Sequence, residues 1–133
     1  MEAKDLMIGD WVYRPDCHSK VKEIRENGII GVDPFRGIIG FKELEPIPLT
    51  TKILKKNGWE KGNIDVEDDD VQYGCAYGSF YFTWWKKVKL LSCYFNDDDA
   101  GLHYEMISEL PTKYVHELQH ALRLCKIDKE IIL

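Results

Sequence analysis

One stretch of the chain has a spacing that is typical of catalysis: residues 116–120 read His-Glu-Leu-Gln-His, the H-E-x-x-H pattern. On a helix this spacing places the two histidines one turn apart on a shared face, with the glutamate beside them. In zinc proteases the histidines are metal ligands and the glutamate is the general base. His116 and His120 are therefore candidate zinc ligands, and Glu117 is a candidate general base.

A catalytic zinc site needs a third protein ligand, and none can be identified by spacing. The extended metzincin pattern would require Gly and His where this chain has Arg123 and Lys126. A ligand from an upstream segment, such as His103 or Glu105, is compatible with the sequence. No other cofactor motif is found, so the favoured prediction is no cofactor, with zinc as the alternative.

The pattern lies in a predicted amphipathic helix near the C-terminus. Pro111 suits a first helical turn, and good helix formers continue to Leu124 and Cys125. At about 100° per residue, an apolar stripe lies within about 60° of Leu118. It consists of Tyr114, Val115, Leu118, Ala121, Leu122 and Cys125. The opposite side is predicted to be a solvated polar face and a candidate binding surface, carrying Lys113, His116, His120 and Arg123.

Composition predicts a globular chain that can bury a core. The 133 residues are 44% hydrophobic and 31% charged, with a net charge of -5. Residues 1–62 hold eleven Lys or Arg against ten Asp or Glu, and residues 63–133 hold seven against thirteen. Because neither part is basic, nucleic acid is possible but not favoured as a partner. A nucleic-acid binder would have to gather on one surface Lys20, Lys22, Arg25, Lys52, Lys55 and Lys56.

The termini and cysteines indicate a cytoplasmic protein. Three of the first five residues are charged, and no long apolar run follows them. Neither a signal peptide nor a membrane span is therefore expected. The four cysteines are scattered without a C-x-x-C pair, which predicts reduced thiols rather than a disulfide framework or a zinc knuckle.

The expected fold class is α+β, in two parts. Residues 1–49 contain five short apolar stretches separated by turn signals, of which Asn27-Gly28 is the strongest hairpin signal. This part is predicted to be a small β-barrel, beginning with a turn at Gly9-Asp10. Residues 50–133 are predicted to hold a short helix, an antiparallel meander and the C-terminal helix. Thr50 or Thr51 would cap the short helix, and Asn57-Gly58 would end it.

Two resemblances add to this interpretation. Residues 8–12, Ile-Gly-Asp-Trp-Val, resemble the first strand of SH3-like barrels, which implies a binding module for peptide, protein or RNA. Three further segments are similar to small bacterial proteins from phage and mobile-element neighbourhoods: Pro48-Leu49-Thr50, Asn57-Gly58-Trp59 and the Tyr-Val-His-Glu-Leu-Gln of residues 114–119. This second resemblance covers about residues 5–125. It implies that H-E-x-x-H is a coincidence of this member, since such proteins often carry glutamine after the first histidine and asparagine at the position of His120.

Three functions of different classes follow from these observations. The favoured prediction is a non-enzymatic adaptor or accessory protein of phage or mobile-element origin that binds another protein. The second is a zinc-dependent hydrolase that uses His116, Glu117 and His120. The third is a nucleic-acid-binding accessory protein.

Overall fold

The computed structural model describes residues 6–14, 17–24, 29–33, 38–40, 44–62, 72–96 and 105–133. Their secondary structure is α+β, with two five-stranded antiparallel sheets and two helices, as predicted. The chain divides into two compact units, Met1–Pro48 with Tyr114–Ala121 and Leu49–Lys113 with Leu122–Leu133. The separation into domains at residues 1–49 and 50–133 stays a prediction.

The first sheet is an antiparallel meander whose last strand returns to the first. Its strands are β1 (Trp11–Arg14), β2 (Cys17–Ile24), β3 (Ile29–Asp33), β4 (Ile38–Gly40) and β5 (Glu45–Pro46), in the order β4-β3-β2-β1-β5. These are the five strands expected from the sequence. No closed barrel is found among the described residues, and the predicted turn at Asn27-Gly28 lies outside them.

A tight turn begins this sheet, at the predicted position. Gly9 has φ 93, a left-handed conformation that favours glycine. The Asp10 N–H donates to the Met7 carbonyl at 3.0 Å, and the Gly9 N–H donates to the Val21 carbonyl at 2.7 Å. The turn is thereby fixed against β2, and the chain leaves it directly into β1, where the alternating pattern buries Val12 completely.

The second unit contains the other sheet and the short helix. Its elements are α1 (Thr51–Lys56), β6 (Glu60–Lys61), β7 (Gln72–Tyr77), β8 (Phe80–Trp85), β9 (Leu90–Phe95) and β10 (Glu105–Pro111), with the sheet order β10-β9-β8-β7-β6. The second helix, α2 (Val115–Leu124), crosses from the first unit into the second. The predicted meander and both predicted helices are therefore present.

The largest apolar side chains in the core of the second unit lie on one face of its sheet, and Thr83 and Ser92 on the other face are also buried. Phe82 and Trp84 alternate along β8 and are fully buried, and Trp59, which follows α1, lies 6.4 Å from the Phe82 ring. The Trp84 indole Nε1–H donates to the Thr112 carbonyl at 2.9 Å, so the largest buried side chain of the strand has no unsatisfied polar group. Burying these two rings contributes several kcal/mol of hydrophobic stabilisation, roughly 2 to 3 for each ring.

The start of the C-terminal helix differs from the prediction. Leu110 and Pro111 pair with Leu91 and Leu90, so Pro111 ends β10 instead of beginning α2. Proline is tolerated there because β10 lies at the edge of the described sheet. Every second backbone nitrogen of an edge strand points away from the sheet, and that of Pro111 is one of them. The helix begins only at Val115, and its predicted end near Leu124 is confirmed.

Both helices end in the same hydrogen-bond pattern, the Schellman motif. At the end of α1, Trp59 N–H donates to the Leu54 carbonyl and Gly58 N–H to the Lys55 carbonyl. Gly58 has φ 88, so the predicted stop at Asn57-Gly58 is confirmed. Thr50 is the N-cap, as expected, because its hydroxyl accepts the Ile53 N–H.

At the end of α2 the equivalent bonds run from Ile127 to Leu122 and from Lys126 to Arg123. Here the left-handed residue is Lys126, with φ 58, where glycine would be the residue without strain. Cys125 is consequently held at the C-cap position.

An amide side chain attaches the C-terminal residues to α1. The Asn57 amide donates to the carbonyls of Ile53 and Ile132 at 2.8 and 2.7 Å, and its oxygen accepts the Ile132 N–H at 2.7 Å. This pairing imitates a strand-to-strand contact and buries the adjacent Ile131, which is 1% exposed.

The two Schellman motifs predict opposite effects on stability. Replacing Gly58 by alanine should lower the free energy of unfolding by about 1 kcal/mol, since φ 88 is unfavourable for any residue with a Cβ. Replacing Lys126 by glycine should raise it by about 0.5 kcal/mol, after the backbone entropy of glycine is subtracted. Urea unfolding measures both. The added Cβ at position 58 has nothing within 4 Å apart from its chain neighbours, so a clash with another described part of the chain is excluded. The same sign for both variants would contradict the assignment.

Candidate functional site

The predicted general base has a structural role at the start of α2. The Glu117 carboxylate accepts the Tyr114 N–H at 3.0 Å, and the Tyr114 carbonyl accepts the Glu117 N–H at 3.1 Å. A glutamate three residues after the N-cap commonly makes this contact, because the first N–H groups of a helix have no partner within it. Glu117 also places negative charge at the positive end of the helix dipole.

The second histidine of the pattern is paired with a buried carboxylate. His120 Nε2 lies 2.6 Å from Asp10 Oδ2; the Asp10 side chain is fully buried and that of His120 is 25% exposed. The Met7 N–H donates to the same carboxylate oxygen at 2.7 Å. An ionised carboxylate only accepts hydrogen bonds, so His120 Nε2 must carry the hydrogen in this contact. The pair therefore satisfies the charge of Asp10 inside the first unit.

Gln119, the residue before His120, completes the backbone hydrogen bonding where the turn leads into β1. Its oxygen accepts the Trp11 N–H at 2.9 Å, and its nitrogen donates to the Gly9 carbonyl at 3.1 Å. Like Asn57, this amide supplies one donor and one acceptor to adjacent backbone groups. The second variable residue of the H-E-x-x-H pattern, Gln119, thus joins α2 to the start of β1.

The expectation that the histidine side of α2 is solvated is wrong for His116. This residue is 5% exposed, its ring stacks 5.9 Å from Tyr114, and its ring centroid is 5.6 Å from that of His120. The physical reason is that the turn at Met7–Asp10 contacts this side of the helix through Gln119 and His120. Within the first unit α2 is buried on two sides, one apolar and one polar. Amphipathic periodicity in the sequence identifies only the apolar side as buried.

The other predicted site residues do not belong to the same unit as His116, Glu117 and His120 or lie outside the described residues. Lys113 is exposed and Arg123 half-buried, and both belong to the second unit. Glu105 is exposed at the start of β10, and His103 lies outside the described residues. Across the ranges that the structure describes, no group of three or more His, Cys, Asp or Glu could hold a metal ion.

Three of the lysines proposed for nucleic-acid binding have individual partners. Lys20 lies over the Trp11 ring at 4.9 Å and Lys55 over the Tyr73 ring at 5.9 Å, while Lys56 donates to the oxygen of Leu133. Lys22 and Lys52 are exposed, and Arg25 lies outside the described residues. Lys20 and Lys22 belong to the first unit and Lys52, Lys55 and Lys56 to the second.

A surface that the sequence did not indicate is the edge strand β10. In the described part of the chain it pairs only with β9, and it exposes Met106 by 53%, Ile107 by 54% and Leu110 by 38%. The Thr112 N–H donates to the Lys89 carbonyl on the β9 side, so alternation directs the Glu109 N–H and carbonyl away from β9. β10 therefore presents backbone hydrogen-bonding groups and apolar side chains on one edge.

A second feature without a sequence signal is a pair of thiols. Cys93 on β9 and Cys125 after α2 are 32 positions apart in sequence, and their sulfur atoms are 3.9 Å apart. Cys93 is 3% exposed, whereas Cys125 is half-buried. The described cysteine side chains, these two and Cys75, are free thiols, as predicted.

Comparisons with protein families, with curated proteins and with solved structures found no significant match to this chain. No helix within the described residues is long and apolar enough to cross a membrane.

The Asp10–His120 contact predicts a measurable loss of stability. Replacing His120 by alanine should lower the free energy of unfolding by about 2 kcal/mol, because the buried Asp10 carboxylate loses a charge-assisted hydrogen bond. Urea unfolding of this variant, of Asp10→Asn and of the double variant gives the coupling between the two side chains. His18→Ala is the control, since His18 is exposed in the same unit. Additive effects would contradict the pairing.

The role of Glu117 is separated from catalysis by two substitutions. Glu117→Gln keeps an oxygen acceptor and should cost about 0.5 kcal/mol, from the lost interaction with the helix dipole. Glu117→Ala removes the acceptor and should cost about 1 kcal/mol or more. Thermal or urea unfolding measures this ranking. Equal stability of the two variants would contradict the capping role of Glu117. Stoichiometric zinc that is lost in His116→Ala would support the hydrolase prediction.

Proposed function

We propose that this chain is a non-enzymatic adaptor that binds an extended segment of another protein along the edge of β10 that no described strand covers. The observation that carries this proposal is a seven-residue edge strand on which Met106 and Ile107 are each more than half exposed. The residues that would make the chain an enzyme have structural partners: Glu117 caps α2, and His120 pairs with Asp10.

The mode of binding is strand addition. A partner strand hydrogen-bonds to the Glu109 N–H and carbonyl, which are directed away from β9, and its alternate side chains contact the exposed apolar residues of β10. Pro111 has no N–H to donate, so the pairing ends there. The register irregularity between Met106 and Ser108 limits the pairing at the other end, which favours a short partner segment.

Charge defines the chemistry of this segment. β10 carries Glu105 and Glu109 and no Lys or Arg, and both glutamates are exposed. A second copy of β10 would bring two more glutamates and another Pro111, features that oppose edge-to-edge pairing of like strands. A partner strand with Lys or Arg across from Glu109 gains a favourable cross-strand pair. The partner is therefore a basic extended segment of a different protein.

The first unit is proposed to be an SH3-like binding module. The meander of β1 to β4, with β5 returned beside β1, supports this proposal because it brings the last strand next to the first, as a small barrel requires. From the resemblance of Pro48-Leu49-Thr50, Asn57-Gly58-Trp59 and residues 114–119 we also propose a phage or mobile-element origin, and we expect the protein to act in the cytoplasm.

Two labelled eight-residue peptides test the proposal by fluorescence anisotropy. One alternates valine with lysine and the other valine with glutamate. The basic peptide should bind, and the acidic peptide should bind at least about tenfold more weakly, a difference of about 1.4 kcal/mol. Glu109→Lys should reverse this preference. Glu109→Pro should weaken binding of the basic peptide about tenfold, since it removes an N–H that does not serve the β9 ladder.

Glu60→Lys is the matched control, because Glu60 is an exposed glutamate on β6, at the opposite edge of the same sheet. Equal binding of the two peptides, or a reversed preference in Glu60→Lys alone, would overturn the proposal. So would a concentration-dependent dimer that is lost in Glu109→Pro, because the edge would then be occupied by a second copy of the chain.

A further inference from the structure

We propose that Cys93 and Cys125 form a redox site, in which the two thiols convert reversibly to an intramolecular disulfide. Their sulfur atoms are in contact at 3.9 Å, and both residues lie in the second unit. This site is distinct from the β10 edge and does not depend on the adaptor function.

The local backbone favours a direct reaction between the two side chains. Cys93 lies in the central part of β9, paired on one side with Phe82 of β8 and on the other with Ser108 of β10. Cys125 is held at the C-cap of α2 by the bonds of Ile127 to Leu122 and of Lys126 to Arg123. Both residues therefore lie in hydrogen-bonded structure, with their sulfur atoms already in contact.

Exposure assigns different roles to the two sulfurs. Cys125 is half-buried and can be reached by a small oxidant, whereas Cys93 is 3% exposed. Burial, and secondarily the charge and hydrogen bond of Cys125, raises the pKa of Cys93 to about 12. A protonated thiol is a poor nucleophile, so Cys125 is the attacking residue and Cys93 the resolving residue.

The reaction with a low-molecular-weight disulfide, RSSR, proceeds in two exchange steps. The Cys125 thiolate attacks one sulfur of RSSR; the Cys125–SR bond forms, the S–S bond breaks and RS⁻ leaves, taking a proton from water. The Cys93 thiol then loses its proton to solvent and attacks the Cys125 sulfur, releasing the second RS⁻, which is also protonated. Two protein thiols are oxidised to one disulfide and one RSSR is reduced to two RSH.

The first step prepares the second. Once Cys125 is in a mixed disulfide its sulfur carries no charge, so the thiolate that Cys93 must form no longer faces a second thiolate in contact with it. The Ser108 side chain hydrogen-bonds to Cys93 and lowers its pKa, which favours the thiolate that must form in the second step. Ser108 also lies directly across from Cys93 in the β9–β10 ladder, and we infer that it is a positioning residue for ring closure with no part in the attack on the oxidant.

The predicted pairing is tested on the full chain with oxidised glutathione as the oxidant, in a Cys17→Ser background that removes the fourth thiol. Intact mass and peptide mapping follow the products over time. The background protein should lose two hydrogen atoms and yield linked peptides that contain Cys93 and Cys125, and dithiothreitol should reverse this. The thermal midpoint of the oxidised form should rise by on the order of 10 °C, since the bond closes a loop of more than thirty residues.

Substitutions separate the two steps. Cys93→Ser, or Cys93→Ala if serine impairs folding, should stop at the mixed disulfide on Cys125. Cys125→Ser should react at least about tenfold more slowly, because only the buried Cys93 remains of the pair. Ser108→Ala should slow ring closure several-fold and leave the rate of mixed-disulfide formation unchanged. Cys75→Ser is the control and should behave as the background protein.

Four results would overturn the proposal. They are accumulation of the mixed disulfide without ring closure, disulfide-linked dimers as the main product, linkage of Cys75 in place of Cys93, and a Cys125→Ser variant that reacts as fast as the background protein.

Discussion

The need to satisfy backbone N–H and C=O groups where no strand or helix partner is available is the constraint on which this structure depends. In the first unit the Gln119 amide supplies a donor and an acceptor to the turn before β1, and in the second the Asn57 amide does the same for the C-terminal residues. Each amide acts as a short substitute for a strand. Because a buried backbone group without a partner costs about 1 to 3 kcal/mol, these two side chains determine where the chain can be anchored.

This constraint also explains what became of the one catalytic pattern. A helix that is buried on two sides must satisfy polar groups on both: Glu117 accepts the Tyr114 N–H at the start of α2, and His120 pairs with Asp10 of the turn at Met7–Asp10. The carboxylate of Glu117 accepts a hydrogen bond at the helix N-terminus, and His120 forms a hydrogen bond with the buried Asp10. Residue types that suit catalysis suit these tasks for the same reason: they carry strong donors and acceptors at the end of a short side chain.

The second sheet carries both the exposed strand edge and one of the two neighbouring thiols. One face is covered and holds Phe82 and Trp84, while β10 leaves an edge with apolar side chains and outward backbone groups. Cys93 lies one strand inward from that edge, in contact with Cys125. The exposed edge of β10 and the Cys93–Cys125 pair thus both lie in the second unit.

The sequence by itself determined the local elements, because their signals are local. Alternation predicted β8, the Gly9-Asp10 turn and the Asn57-Gly58 stop followed from left-handed glycines, and helical periodicity located the buried stripe around Leu118. Only the tertiary structure decided that His116 is buried, that Gln119 contacts Gly9 and Trp11 about 110 positions away, and that Cys93 meets Cys125. These contacts join residues far apart in the chain, and no periodicity or spacing encodes which polar group a folded chain will place opposite another.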